Sequence, residues 1–215
     1  MKKVKDNLKK IANEILKRLE REYADAKCHL EFKNPFELLI STVLAAQCTD
    51  VRINMVMPPL YKKKYKSPHD ILKDGLDNFR ENIKSITFFN NKSKAIIAIC
   101  ESLVEEHSGK VPGTIEQLTK LKGVGRKSAN VVLGNCFGKM DAIIVDTHLK
   151  RVATRLGLTE NDNPDKIEFE LKEIIPNEQQ FHFSMRIGEH GRQVCHARKP
   201  KCEECFLNDI CPSVQ

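Results

Sequence analysis

Four cysteines fall within the last twenty-one residues of the chain: Cys195, Cys202, Cys205 and Cys211, spaced Cys-x6-Cys-x2-Cys-x5-Cys. Thiolates are soft donors, and the short step from Cys202 to Cys205 is a turn that lets two sulfurs face one metal centre. An iron–sulfur cluster and zinc both suit this set, and the spacing alone does not separate them. The alternatives are two disulfides, which need an oxidising compartment, or four unrelated buried thiols. The basic start Met1-Lys2-Lys3-Val4-Lys5 leads into no signal-type apolar stretch. No apolar run approaches the ~20 residues of a membrane helix. The expectation is a cytoplasmic protein with no membrane partner, whose thiols stay reduced and free for metal.

A second reactive set lies upstream, in Leu121-Lys122-Gly123-Val124-Gly125-Arg126-Lys127-Ser128-Ala129. Two glycines around one aliphatic residue make a tight turn between helices, the first of them short and capped by Thr114 with Gln117 as partner. The amides of Val124, Gly125 and the residues after them should then point outward at a helix N-terminus, where an anion binds. A phosphodiester can sit there without reference to base sequence. The pattern looks like a helix-hairpin-helix, spanning 114–134. Lys127 has two readings: a cation for the DNA backbone, or an amine nucleophile. Free lysine is protonated at neutral pH, with a reference pKa near ~10.4, and must lose that proton to attack carbon. Asp146, in Val145-Asp146-Thr147-His148, follows a short buried run and opens a helix. Its ordinary job is an N-cap, which would also fix the carboxylate for chemistry.

The elements that position these groups read as nearly all helix. Leu8, Ile11, Ile15 and Leu19 recur at steps of three and four, an amphipathic N-terminal helix. Asn34-Pro35-Phe36-Glu37 and Ser67-Pro68-His69-Asp70 are helix starts, and Asn163-Pro164-Asp165 is a weaker third. Phe36 to Gln47 is apolar nearly all round, so it should be central. Lys92 to His107 puts Ile96, Ile99, Leu103 and Val104 on one face and ends near Gly109. Ala142-Ile143-Ile144-Val145 is the one tempting strand, with no evident partner. No long linker, low-complexity stretch or internal repeat is visible. Lys plus Arg is 36 against 29 Asp plus Glu, a formal charge of +7. That bias fits a polyanionic partner and fits plain solubility equally well.

The hairpin, the later Val-Asp-Thr-His and the terminal cysteines, in this order and spacing, resemble the endonuclease III family, bifunctional DNA glycosylases and AP lyases of base-excision repair. The likeness runs from about residue 30 to Cys211. It implies an all-α fold of two helical lobes with a DNA groove between them. One lobe, 28–140, is a six-helix barrel with the helix-hairpin-helix. The other joins 1–27 to 141–215 and holds a [4Fe-4S] cluster on Cys195, Cys202, Cys205 and Cys211.

The resemblance makes Lys127 the nucleophile and Asp146 its carboxylate partner. The implied substrate is double-stranded DNA containing damaged pyrimidines or abasic sites. A flipped base leaves as Lys127 attacks C1′, a Schiff base forms, and β-elimination breaks the strand on the 3′ side. A charged Asp146 would favour the protonated amine, so desolvation and the helix end must offset it. Gln47 maps to a glutamine that fills the gap left by the flipped base. Phe88 maps to an apolar wedge between bases, though it reads equally as a core residue. Gly123, Val124, Gly125 and Arg126 hold backbone phosphate. His148 contacts phosphate, lines the pocket or is structural. Arg198 and Lys199, in the basic loop between the first two cysteines, form a phosphate clamp or a solvated charge run.

Three positions depart from the family pattern: Lys122 where proline is common, Thr87 where glycine is common, and Cys48 where alanine is familiar. Adenine glycosylases of mismatches lack the hairpin lysine and carry a glutamate where Thr42 stands. Lys127 likewise disfavours a thymine mismatch glycosylase. A DNA-binding protein without activity, or a zinc module, would leave Lys127 and Asp146 unexplained. No apolar stripe is left over for a partner, so a monomer is expected.

Overall fold

Each helix start written in the sequence is built as an N-cap. In the computed structural model, which describes residues 2–214 and side chains from residue 6 onward, the Asn34 side chain accepts from the Glu37 amide at 3.0 Å. The Glu37 carboxylate reaches back to the Lys33 amide at 2.7 Å. At the second start Asp70 accepts from the Ser67 amide and hydroxyl, both at 2.9 Å. At the third, Asn163 accepts from the Asp165 and Lys166 amides. The basic side chains of residues 2–5, together with Met1 and Gln215, lie outside the described residues.

The chain separates into two compact units. The inner unit, Cys28–Gly138, is the continuous run α2 (Pro35–Leu44), α3 (Asp50–Lys63), α4 (Pro68–Asn82), α5 (Phe89–His107), α6 (Ile115–Leu118) and α7 (Arg126–Phe137). Helix α2 is its axis: Leu38, Leu39, Ile40 and Leu44 have no exposed surface, and α3, α5 and α7 pack against it. Such a helix has no polar face to spare: the Ser41 hydroxyl pairs with Tyr61 of α3 at 2.8 Å, while the buried Thr42 hydroxyl makes no hydrogen bond among the described residues. Helix α4 bends at Gly75, whose φ of 80° no other residue adopts cheaply. Helix α5 begins three residues before the expected Lys92 and closes through left-handed Ser108 and Gly109.

The discontinuous unit joins Met1–Lys27 to Lys139–Gln215. It holds α1 (Lys2–Glu22), α8 (Thr147–Arg155), α9 (Pro164–Ile174), a 3-10 turn at Asn177–Gln179 and α10 (Gln180–Gln193), followed by the cysteine-bearing tail with a 3-10 turn at Asn208–Ile210. Ala12, Ile15, Leu16 and Leu19 of α1 share one core with Leu149, Val152, Ile167, Leu171, Phe183 and Ile187. The tempting strand at 142–145 is not one, and no strand occurs among the described residues. Ala142, Ile143 and Ile144 are buried in an irregular extended segment. The Ile144 amide bonds the Ser184 hydroxyl of α10 at 2.9 Å in place of a neighbouring strand. No helix is long and apolar enough to cross a membrane among the described residues.

Candidate active site and metal centre

The hairpin is the loop between α6 and α7. Thr114 caps α6, accepting from the Gln117 amide at 3.3 Å while its hydroxyl donates to the Gln117 side chain at 3.0 Å. Leu118, Leu121 and Val124 are buried and anchor the loop. Gly123 turns it with φ of 83°, and a Cβ there would meet the Ala95 methyl at 3.7 Å.

Two details differ from the sequence expectation. The Val124 amide donates inward to the Leu121 carbonyl at 3.0 Å, so it closes the turn and does not face outward. Gly125 has φ of −86°, open to any residue, and a Cβ added there would meet nothing within 4 Å. Its lack of a side chain leaves the mouth of α7 clear; it is not needed for the turn itself. Arg126 and Lys127 are the first two residues of α7, where backbone amides have no intrahelical carbonyl to bond. Lys127 is exposed there, at the positive end of the helix dipole.

Asp146 is the N-cap of α8: its Oδ1 accepts from the Leu149 amide at 2.7 Å. The carboxylate is half-buried and locked in orientation by this bond. Asparagine caps about as well as aspartate, so cap and charge can be separated. Asp146→Asn is expected to melt within about 1 kcal/mol of the native protein while slowing base release at least ~10-fold. Wild-type turnover in single-turnover glycosylase assays would leave Asp146 only its structural role.

His148, two residues on, is half-buried and accepts from Arg151 Nη2 at 3.2 Å. Burial lowers its pKa below the usual histidine value, aided by Arg192 and Arg151 and opposed by Asp146. It is therefore neutral at pH 7. Helix α10 closes on it at Gly191, where a Cβ would fall 2.9 Å from the His148 Cβ.

The inner unit also carries Gln47 and Phe88. Both are exposed, Phe88 by 61%, which excludes its alternative reading as a core residue. Both hold left-handed backbone, with φ of 53° and 58°. That conformation costs a residue with a side chain roughly 1–2 kcal/mol, so the surrounding contacts must impose it.

Cys195, Cys202, Cys205 and Cys211 line one pocket together with Val152, Leu156 and His190. None is in a disulfide. Burial raises the pKa of Cys205 and Cys211 above the usual thiol value, and the neighbouring cysteines add to the effect. A cationic centre relieves that repulsion. Among the described residues no three His, Cys, Asp or Glu side chains close on a single-ion position. In a four-iron cluster each thiolate binds a different iron, so the sulfurs need not converge on one point.

The pocket wall is braced by arginines that sequence reading missed. Arg155 of α8 donates to the Cys195 sulfur at 3.2 Å and to the His196 and Ala197 carbonyls at 2.7 and 3.1 Å. Arg151 bonds the Cys195 and Gly191 carbonyls. Their spacing of four, one turn apart after a capped start, was the available signal. Behind Cys205, His190 Nε2 lies 3.6 Å from the sulfur and its Nδ1 is 3.3 Å from the Tyr23 hydroxyl. Burial drops His190 to about 4 and lifts Tyr23 to about 12. The phenol stays protonated and the imidazole neutral. Arg198 and Lys199 stand exposed at the tip of the pinned loop, Lys199 with φ of 52°.

A family model described as HhH-GPD superfamily base excision DNA repair protein matches residues 40–177. A second, the iron-sulfur binding domain of endonuclease III, matches 195–211. Endonuclease III of Synechocystis sp. is 45% identical over 207 residues, covering 96% of this chain and 94% of that protein. Endonuclease III of Escherichia coli K12 is 39% identical over 198 residues, covering 92% and 93%. A solved structure of a trapped endonuclease III–DNA covalent intermediate superposes with a TM-score of 0.90 at 40% identity, covering 95% of this chain and 96% of that one. A thermostable thymine-DNA glycosylase, at 24% identity and a TM-score of 0.84, shares the fold. Matched by both family models and by these relatives over nearly its whole length, the chain belongs to the endonuclease III family of the HhH-GPD superfamily of base excision DNA repair proteins, and its cofactor is a [4Fe-4S] cluster.

Proposed function

We propose that this DNA glycosylase and AP lyase removes oxidised pyrimidines from duplex DNA and cleaves the resulting abasic site on its 3′ side. The observation that carries the reading is Lys127: an exposed amine in the first turn of α7, next to amides that can hold a phosphate. The phosphate of a damaged nucleotide bound at Gly123, Gly125 and Arg126 brings its sugar to that amine. Lys127, once deprotonated, attacks C1′ as the base departs. The carboxylate of Asp146, held by its cap bond, stabilises the positive charge that develops at C1′. Rearrangement of the adduct gives a Schiff base, whose acidified C2′ proton leaves with expulsion of the 3′ phosphate.

Gln47 fills the space of the extruded base and Phe88 wedges between its neighbours, an apolar insertion of the kind that unstacks a duplex. Cys195, Cys202, Cys205 and Cys211 hold the [4Fe-4S] cluster. When bound it cross-links the tail to itself and neutralises thiolate charge. The loop it closes carries Arg198 and Lys199 to phosphates flanking the lesion.

Borohydride trapping tests the reaction. A covalent adduct should form on duplexes carrying thymine glycol or an abasic site, and correctly folded protein that traps neither overturns the proposal. The loop makes a separate prediction. Lys199→Ala should lower the slope of log K against log salt by about 0.9, one phosphate contact. An unchanged slope in equilibrium binding would mean that Lys199 does not reach the backbone.

A further inference from the structure

Gln47 and Phe88 sit on separate loops of the inner unit; one hydrogen bond ties those loops together, and a second ties the helices beside them, α5 to the end of α2. The Thr87 hydroxyl donates to the Gln47 carbonyl at 2.7 Å. The Lys92 ammonium donates to the Leu44 carbonyl at 2.8 Å, satisfying a group that the end of α2 leaves without a partner. Lys92 is only 8% exposed, so its bond is sheltered from water. Cys48 lies beside both: burial works to raise its thiol, but hydrogen bonding with Thr87 and the charge of Lys92 hold it below the usual value. Thr87 is adjacent to Phe88 in sequence and bonded to the backbone of Gln47. One hydroxyl thus spans the two residues whose left-handed backbone has to be imposed from outside.

We infer that Thr87 is a positioning residue that couples the two loops, so that Gln47 and Phe88 enter the duplex as one preformed unit. The inference rests on the insertion roles proposed for those two side chains. A loop that must be ordered during insertion spends conformational entropy at that step, and a loop already tied does not. The coupling therefore acts on base extrusion and leaves the amine chemistry at C1′ alone. Thr87 is exposed, so losing its hydroxyl does not threaten the fold.

Thr87→Val keeps the shape and removes the donor, and one such bond corresponds to roughly fivefold in rate. Single-turnover base release from a thymine glycol duplex should fall about fivefold, with a matching loss of 2-aminopurine fluorescence rise beside the lesion. β-Elimination at a preformed abasic site, which has no base to unstack, should change less than about twofold, and Thr87→Ser should restore base release. Gln47→Ala and Phe88→Ala are measured alongside. If either slows release while Thr87→Val does not, the coupling is overturned and the insertion roles stand. If neither slows release, the insertion roles fall and the coupling with them. Equal slowing of both reactions by Thr87→Val, or no rescue by serine, also overturns it.

Discussion

Lys127→Ala is expected to abolish the borohydride adduct and strand cleavage, with base release falling at least ~10³-fold. The residue is exposed in the first turn of α7, and the adjoining packing is carried by Leu121, Val124 and Ala129. Alanine is the better helix former, so the melting temperature should not drop. A lysine that serves only as a counter-charge predicts something different: weaker DNA binding with unchanged turnover per complex. Lys127→Arg separates the two. Arginine keeps the charge and cannot give up its proton at accessible pH. It should bind DNA close to the native level and form no adduct. An adduct trapped on either variant, located elsewhere by peptide mapping, would remove Lys127 from the role of nucleophile.

The second large effect is loss of the cluster. Cys205→Ser should bleach the broad absorption near ~400 nm expected of a thiolate-ligated iron–sulfur centre. It should also unfold the discontinuous unit, because a structural metal centre contributes on the order of 10 kcal/mol against a total stability of about 5–15 kcal/mol. The geometry says why little else can hold the tail. Residues 201–214 contain only a 3-10 turn, and Leu207 is the one fully buried side chain among them. The rest of its fixing comes from Arg18, which bonds the Phe206 carbonyl and Asp209, from the Cys205 and Cys211 sulfurs against His190 and the Arg155 carbonyl, and from Phe206 packed on Tyr23 and His190, while Arg155 and Arg151 hold the stretch just before it, at 195–197. DNA affinity should fall with the cluster, since Arg198 and Lys199 lose their support. A Cys205→Ser protein that keeps its colour and melts within a few degrees of the native one would show that this thiol is not a ligand.

The helix starts were legible because capping is local: Asn34, Ser67, Thr114 and Asn163 each bond within three residues. The hairpin was legible from Gly123, whose backbone demands glycine. The direction of the Val124 amide was not, because a tight turn can spend that donor internally. Asp146 was legible as a cap, since its bond to the Leu149 amide lies within three residues. The exposure of Phe88 could not be read locally, since Phe88 and Phe89 are neighbours and only tertiary packing decides which one faces outward. Lys92 is the clearest miss. A lysine beginning an apolar stripe reads as solvated, and its burial depends on a carbonyl 48 residues away.

Arg18 of α1 reaches the Phe206 carbonyl at 2.9 Å and pairs with Asp209, spanning 188 and 191 residues. That pairing sets a timetable for synthesis. The inner unit is contiguous and can fold as it leaves the ribosome, while α1 waits with its apolar stripe uncovered until the tail has been made. The inner unit is therefore complete well before the cysteines and the basic loop of the tail have been made. An unfinished chain thus leaves the apolar stripe of α1 uncovered, the kind of surface that chaperones hold.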